Sequence, residues 1–251
     1  MDAFGASHRR LFFREKIDLL PLLPLRTSRG YIVAVSPCIK NGERWLNVSY
    51  RRLDGGRGSQ IEIRRFVDIL LFGNLLGQYQ AEGTKHKNTA SRFRLEFTNA
   101  LLQEHLDYLK ALEDLGLQKS ELEFLLYYNP DKRTTHEIGV MAKEFDRAIG
   151  LPLRIRSYPS QRGMAFKCII RNTILTEIIL CSMDHVRRLI STAECNDPNL
   201  QMLRNAFFAK LLTGDGTIDV RTKNRKYDYP TARIKIVDKD IRISDGGGGI
   251  D

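Results

Sequence analysis

Hydrophobic and polar positions change period several times along the chain, and each change predicts an element. Residues 31–66 read as short strands, Tyr31–Val35, Arg44–Tyr50 and Gln60–Phe66, with the turn Asp54-Gly55-Gly56-Arg57-Gly58 before the last. From Val67 to Gln80 the period is helical, and Glu82-Gly83 ends it. Residues 91–99 alternate, with Arg92, Arg94 and Glu96 on one face and Phe93, Leu95 and Phe97 on the other. A helix over about 100–115 carries Leu102, Leu106, Leu109 and Leu112 in one stripe and stops at Gly116. Residues 121–128 fit strand or helix equally, and 135–149 look helical. Two alternating strands follow, around 153–156 and 166–171, and Ser160–Gly163 predicts a turn that pairs them as a hairpin. Helices are then expected over about 174–190 and 200–213. Ile218–Thr222 and Thr231–Val237 form a last hairpin-like pair, with Arg233 and Lys235 outward and Ile234 and Ile236 inward.

Charge sharpens this picture because it is segregated. The 251 residues carry a formal net charge of +10, which favours a polyanionic partner. Residues 151–172 hold five Lys or Arg and no acid, whereas 100–150 hold six basic and ten acidic residues. The strands are basic and the helical middle is acidic. No apolar run approaches the roughly 18 residues of a membrane span; Ile174–Met183 comes nearest and Glu177 breaks it. The apolar stretch Leu11–Phe13 is too short for a secretion signal. Cys38, Cys168, Cys181 and Cys195 are widely spaced with no C-x-x-C pair, so reduced thiols and a cytoplasmic location are expected.

A short internal repeat carries the candidate chemistry. Residues 75–84, Leu-Leu-Gly-Gln-Tyr-Gln-Ala-Glu-Gly-Thr, are matched by residues 208–217, Phe-Ala-Lys-Leu-Leu-Thr-Gly-Asp-Gly-Thr. Each is an apolar helix segment ending in a small residue, an acid, glycine and threonine, and a basic strand follows. Gly73, Gly77 and Ala81 recur every fourth residue, and Ala206 and Gly214 stand at matching positions of the second copy. Such stripes let two helix backbones approach closely, which would bring Glu82 and Asp215 side by side. Two carboxylates at helix C-termini repel each other and oppose the helix dipoles. A hard divalent cation such as Mg²⁺ would offset both. Lys210 stands where the first copy has Gly77, and a lysine there either snorkels outward or shifts the helix register.

These paired segments resemble the motifs of the monomeric LAGLIDADG homing endonucleases, in which two αββαββα repeats share a helix interface. The resemblance covers roughly 65–240. It implies an α+β fold with a β-rich N-terminal extension over 1–66, a first repeat over 67–199 and a partial second repeat over 200–251 that stops after its first hairpin. It also implies a metal-dependent, site-specific endonuclease acting on double-stranded DNA, with Glu82 and Asp215 as metal ligands and Lys167 supporting the scissile phosphate. Arg92, Arg94, Arg154, Arg156, Lys167, Arg171, Arg221, Lys223, Arg233 and Lys235 are the expected DNA contacts, read from their place on basic strands. The protein would act as a monomer or with a partner chain completing the second repeat. The alternative is a catalytically inactive relative, either a DNA-binding regulator or an RNA intron-splicing maturase.

Overall fold

A computed structural model describes residues 11–52, 56, 58–84, 94–159, 161, 163–192, 197–221 and 231–236, with backbone alone for 191–192, 215–221 and 231–236. The fold is mixed α+β. At its centre lies helix α1, Ile69–Glu82. Asp68 caps its start, accepting the Leu71 amide at 2.9 Å. Ile69, Phe72, Leu75, Leu76, Tyr79 and Ala81 are all buried, so this helix is enclosed by protein on several sides rather than on one amphipathic face.

The N-terminal residues form two small antiparallel sheets. One joins β1 (Phe12–Phe13), β2 (Lys16–Asp18) and β6 (Phe66–Asp68). The other has the order β3 (Val33–Lys40), β4 (Glu43–Tyr50), β5 (Ser59–Arg64). The first predicted strand lies slightly later than expected and includes Pro37, which an edge strand tolerates. The turn expected at 54–58 falls largely outside the described residues. Leu46, Val48, Ile61 and Ile63 face a core shared with α1. Polar contacts fasten these sheets to later elements. Ser59 Oγ donates to Asn172 Oδ1 at 3.0 Å, and Asn172 in turn donates its amide to the Gln60 carbonyl at 3.0 Å. The Ser28 amide and hydroxyl both donate to buried Glu177.

Downstream of α1 come β7 (Leu95–Asn99), α2 (Leu102–Leu115), β8 (Leu122–Tyr128), α3 (Thr135–Ile149), β9 (Leu153–Ser157), β10 (Met164–Ile170) and α4 (Thr173–Thr192). The buried stripe of α2 is His105, Tyr108, Leu109, Leu112 and Leu115, displaced from the leucine stripe read in the sequence; Leu102 and Leu106 are only partly covered. Gly116 ends α2 at φ +106°, and a side chain there would lie 2.5 Å from the Trp45 ring. Glycine is thus required twice over, by conformation and by space.

The main sheet has the order β7-β10-β8-β9. The hairpin expected between 153–156 and 166–171 does not form. Strand β10 lies between β7 and β8, antiparallel to both, and β9 runs parallel to β8 at the edge. The reason lies in the run 122–128, ambiguous by period. Phe124 and Leu126 bury on one face and Leu125 on the other, so the run lacks the alternation that would mark it as a half-buried strand. A parallel partner needs a long crossover, and α3 supplies it. Helix α3 is bounded by a capping box at Thr134 and Glu137 and by Gly150 at φ +68°.

Helix α5 (Pro198–Asp215) lies against α1 and leads into the antiparallel pair β11 (Gly216–Arg221) and β12 (Thr231–Ile236). No helix of the described residues is long and apolar enough to cross a membrane.

His105 is fully buried, edge-on to Phe97, Phe124 and Phe166, with Nε2 3.2 Å from the Asn99 carbonyl. Burial pushes its pKa down from 6.5 to about 4. Between those values the unfolded chain takes up a proton that the folded chain refuses, so acidification favours unfolding. Stability contributed by neutral His105 is present above pH 6.5 and declines as pH falls toward 4, by on the order of 3 kcal/mol in total. The expected outcome is that urea midpoints fall less between pH 7 and 4.5 in His105→Leu than in the wild type.

Candidate metal centre and nucleic-acid face

The two repeated segments meet through their smallest side chains. A Cβ placed on Gly73 would lie 2.7 Å from Ala206 Cβ and 2.9 Å from the Leu203 carbonyl oxygen. On Gly77 it would overlap the Phe207 carbonyl oxygen, and on Gly214 it would overlap Ala81 Cβ. The contacts therefore include backbone, which cannot rotate away as a side-chain tip can. Ala81 and Ala206 are both buried. All five small residues singled out in the sequence lie along this one contact.

Lys210 takes neither of the courses expected for it. Its Cβ lies 3.1 Å from the Cβ position of Gly77, and its side chain runs on to the acids of α2. The ammonium is 2.6 Å from Asp107 Oδ2 and 3.0 Å from Glu104 Oε1. Glu104 also accepts the side-chain amide of buried Gln78 at 2.7 Å. Burial alone would lower the Lys210 pKa, but its bonds to Asp107 and Glu104 prevail and raise it. A residue that looks misplaced within the motif thus ties α5 to α2 while α1 stays in contact.

At the C-terminal end of this helix pair, Glu82 is the last residue of α1 and is partly exposed. Its Cγ is 3.4 Å from the Cβ position of Gly214. Asp215 is the next residue, one Cα step of about 3.8 Å along the chain. The ends of the two acid-bearing helices therefore abut. The side chain of Asp215 lies outside the described ones.

Beside Glu82 the chain turns into the sheet, and an unforeseen polar cluster begins. The Thr84 amide donates to the Glu96 carbonyl at 3.0 Å, and the Thr84 hydroxyl donates to Glu96 Oε2 at 2.8 Å. Glu96 is only 4% exposed, with Arg94 Nε at 2.6 Å and Lys167 Nζ at 3.4 Å. Lys167 also stands over the Tyr127 ring, 5.4 Å from its centroid. Burial opposes the charge on Glu96, but the Thr84 hydroxyl and the two cations outweigh it and hold the carboxyl below its usual range.

Register across the sheet places the other basic candidates on this same face. Lys167 pairs with Thr98 on one side and Leu125 on the other, while Leu125 and Tyr127 pair with Arg154 and Arg156. The opposite face carries the buried Phe97, Phe166, Cys168, Phe124 and Leu126. The basic face also carries acids. Glu123 holds Arg171 at 2.7 Å and lies 3.9 Å from Arg154. Together with Glu96, it engages four of the candidate cations. Arg156 is exposed and has no ion pair among the described residues. Glu123 lies in the run whose period fits strand or helix equally, and the alternation that sets Glu96 on the face of Arg94 does not show how closely its neighbours crowd it. Arg92 and Lys223 lie outside the described residues, as do the side chains of Arg221, Arg233 and Lys235. The backbone register sets Arg233 opposite Asp219 and Lys235 opposite Thr217.

No family model, no curated protein and no solved structure matches this chain. Among the described residues, no three His, Cys, Asp or Glu side chains converge as a metal-binding group.

The helix contact has a sharp expected signature. Gly77→Ala would drive a methyl into the Phe207 carbonyl and should cost about 1–3 kcal/mol. Gly139→Ala lies within α3 with nothing within 4 Å of the new methyl, and should stabilise by about 0.5–1 kcal/mol. Denaturant titration of the two variants beside the wild type checks both signs.

Proposed function

We propose that this chain is a metal-dependent, site-specific DNA endonuclease with a LAGLIDADG-type helix pair at its centre. The observation that carries the reading is the abutment of the two motif ends, with Gly214 against Ala81 and Glu82. It sets two acid positions together beside a sheet face bearing Lys167, Arg154 and Arg156.

The residues fit a hard divalent cation in kind. Glu82 and Asp215 both offer carboxylate oxygens, the donors that Mg²⁺ prefers. Their helix ends bring partial negative charge, which a cation would offset. Glu82 and Asp215 would hold the ion. When bound, it supplies Lewis-acid polarisation of a phosphodiester and an activated water.

The remaining work falls to the chain's own side chains. Lys167, anchored by Glu96 and the Tyr127 ring, keeps its cation beside the motif end and can offset charge gathering on a phosphate. Thr84 and Arg94 complete the grip on Glu96, so Lys167 is held in place before substrate arrives. Arg156 and the exposed Arg154 at the sheet edge suit contacts to a duplex backbone. Arg171, bound along the Glu123 carboxylate, must exchange that partner for DNA before it contributes.

Cleavage of a recognition-site library in Mg²⁺ tests the reading. Glu82→Gln and Asp215→Asn should each lower cutting at least about a hundredfold, a barrier increase of about 2.7 kcal/mol, while duplex binding survives. Equal cutting by both variants and the wild type would refute the assignment. Arg156→Gln should leave the chemistry intact and reduce the slope of log affinity against log salt by about 0.9 for duplex DNA.

A further inference from the structure

A second basic surface lies at the other end of α1. Strand β6 leads directly into that helix, so Phe66 stands near its N-terminus and Glu82 at its C-terminus. The fourteen-residue helix spans about 21 Å. Beside Phe66 is a groove of about 630 Å³, walled by the β1–β2 hairpin and the start of β4.

The chemistry of this groove differs from that of the sheet face. Phe13 is 60% exposed on the hairpin and lies 5.7 Å from the Phe66 ring, tilted by 46°. An isolated exposed phenylalanine would be ordinary. Here, however, Arg14, Lys16 and Arg44 line the same groove, all three exposed and none ion-paired among the described residues, while Arg64 and Glu43 in the same lining hold each other at 3.0 Å. The sheet face shows the reverse, with most of its cations held by Glu96 and Glu123. Arg14 occupies the hairpin turn at φ +56°, a left-handed conformation that larger side chains rarely adopt. That turn keeps its guanidinium 5.8 Å from the Phe13 ring centroid.

Unpaired cations around an accessible ring are what a polynucleotide with unstacked bases recognises: phosphates meet the cations and a base lies on the ring. Duplex DNA does not suit the groove, because its bases are already stacked on one another. Glu15, also in the lining, can accept from a ribose 2′-hydroxyl, a donor that deoxyribose lacks. We infer that the groove framed by Phe13, Arg14, Lys16, Arg44 and Phe66 binds single-stranded RNA, at the end of α1 opposite the acid pair. This inference stands apart from the endonuclease reading and uses none of its residues.

Fluorescence anisotropy on the full chain tests it, with labelled single-stranded RNA of about twelve nucleotides, within the range such sites cover. The same-sequence single-stranded DNA and a DNA duplex serve as the other arms. Phe13→Ala should weaken RNA binding by roughly tenfold, as expected for loss of one stacking platform. Joint Arg14→Gln, Lys16→Gln and Arg44→Gln should cut the salt slope by about 2, at 0.7 per lost phosphate contact. All these positions are exposed, and thermal melting verifies that both variants fold. Duplex binding and metal-dependent cutting should not change. RNA binding that is absent in the wild type, or unchanged in both variants, would overturn the inference. Single-stranded DNA bound as tightly as RNA would overturn the assignment to RNA.

Discussion

Two helices can approach until backbone meets backbone only where nothing larger than a methyl group intervenes, and this constraint organises the molecule. Gly73, Gly77 and Gly214 face Ala206, the Phe207 carbonyl and Ala81 across such a contact. Because α1 is enclosed on its remaining sides, its position also fixes the N-terminal sheets and α2. The same closeness leaves no room for side chains to separate the helix ends, so Glu82 and the residue preceding Asp215 touch. Packing and proposed chemistry thus share one cause.

Charge is arranged around that contact in two different ways. On the sheet, Glu96 and Glu123 hold four cations in fixed positions, trading attraction for a polyanion against placement. Such pairing costs little for the exposed Arg171. It is more demanding at Glu96, where a nearly buried carboxylate depends on Thr84, Arg94 and Lys167 together. At the far end of α1, Arg14, Lys16 and Arg44 have no ion pair among the described residues and adjoin an exposed ring, while Arg64 there is held by Glu43. A chain with a net charge of +10 therefore presents two unlike basic surfaces, one ordered by acids and one open.

Much of this was legible in the sequence wherever the signal was local. The four-residue recurrence of Gly73, Gly77 and Ala81 is a property of one helix face, so it could be read without knowing the partner. The matching segment at 208–217 then named the partner. Pairing of strands is not local in that sense. Alternation in 153–156 and 166–171 marked two strands but could not show that β10 is separated from β9 by β8, since the run 122–128 had no decisive period. The same ambiguity concealed Glu123. Lys210 looked like an exception within its motif because its partners, Glu104 and Asp107, come from a helix distant in sequence. The open groove was hidden for a related reason, as it gathers residues 13–16, 44 and 66 from four separate strands.

The proposed chemistry requires the two motif ends to be adjacent in solution. Nitroxide labels at Glu82→Cys and Asp215→Cys, in a background with Cys38, Cys181 and Cys195 replaced, report that adjacency by electron paramagnetic resonance. Strong dipolar broadening in the doubly labelled protein, relieved when Gly77→Val wedges the helices apart, is the predicted result. A doubly labelled spectrum equal to the sum of the two single-label spectra would contradict it.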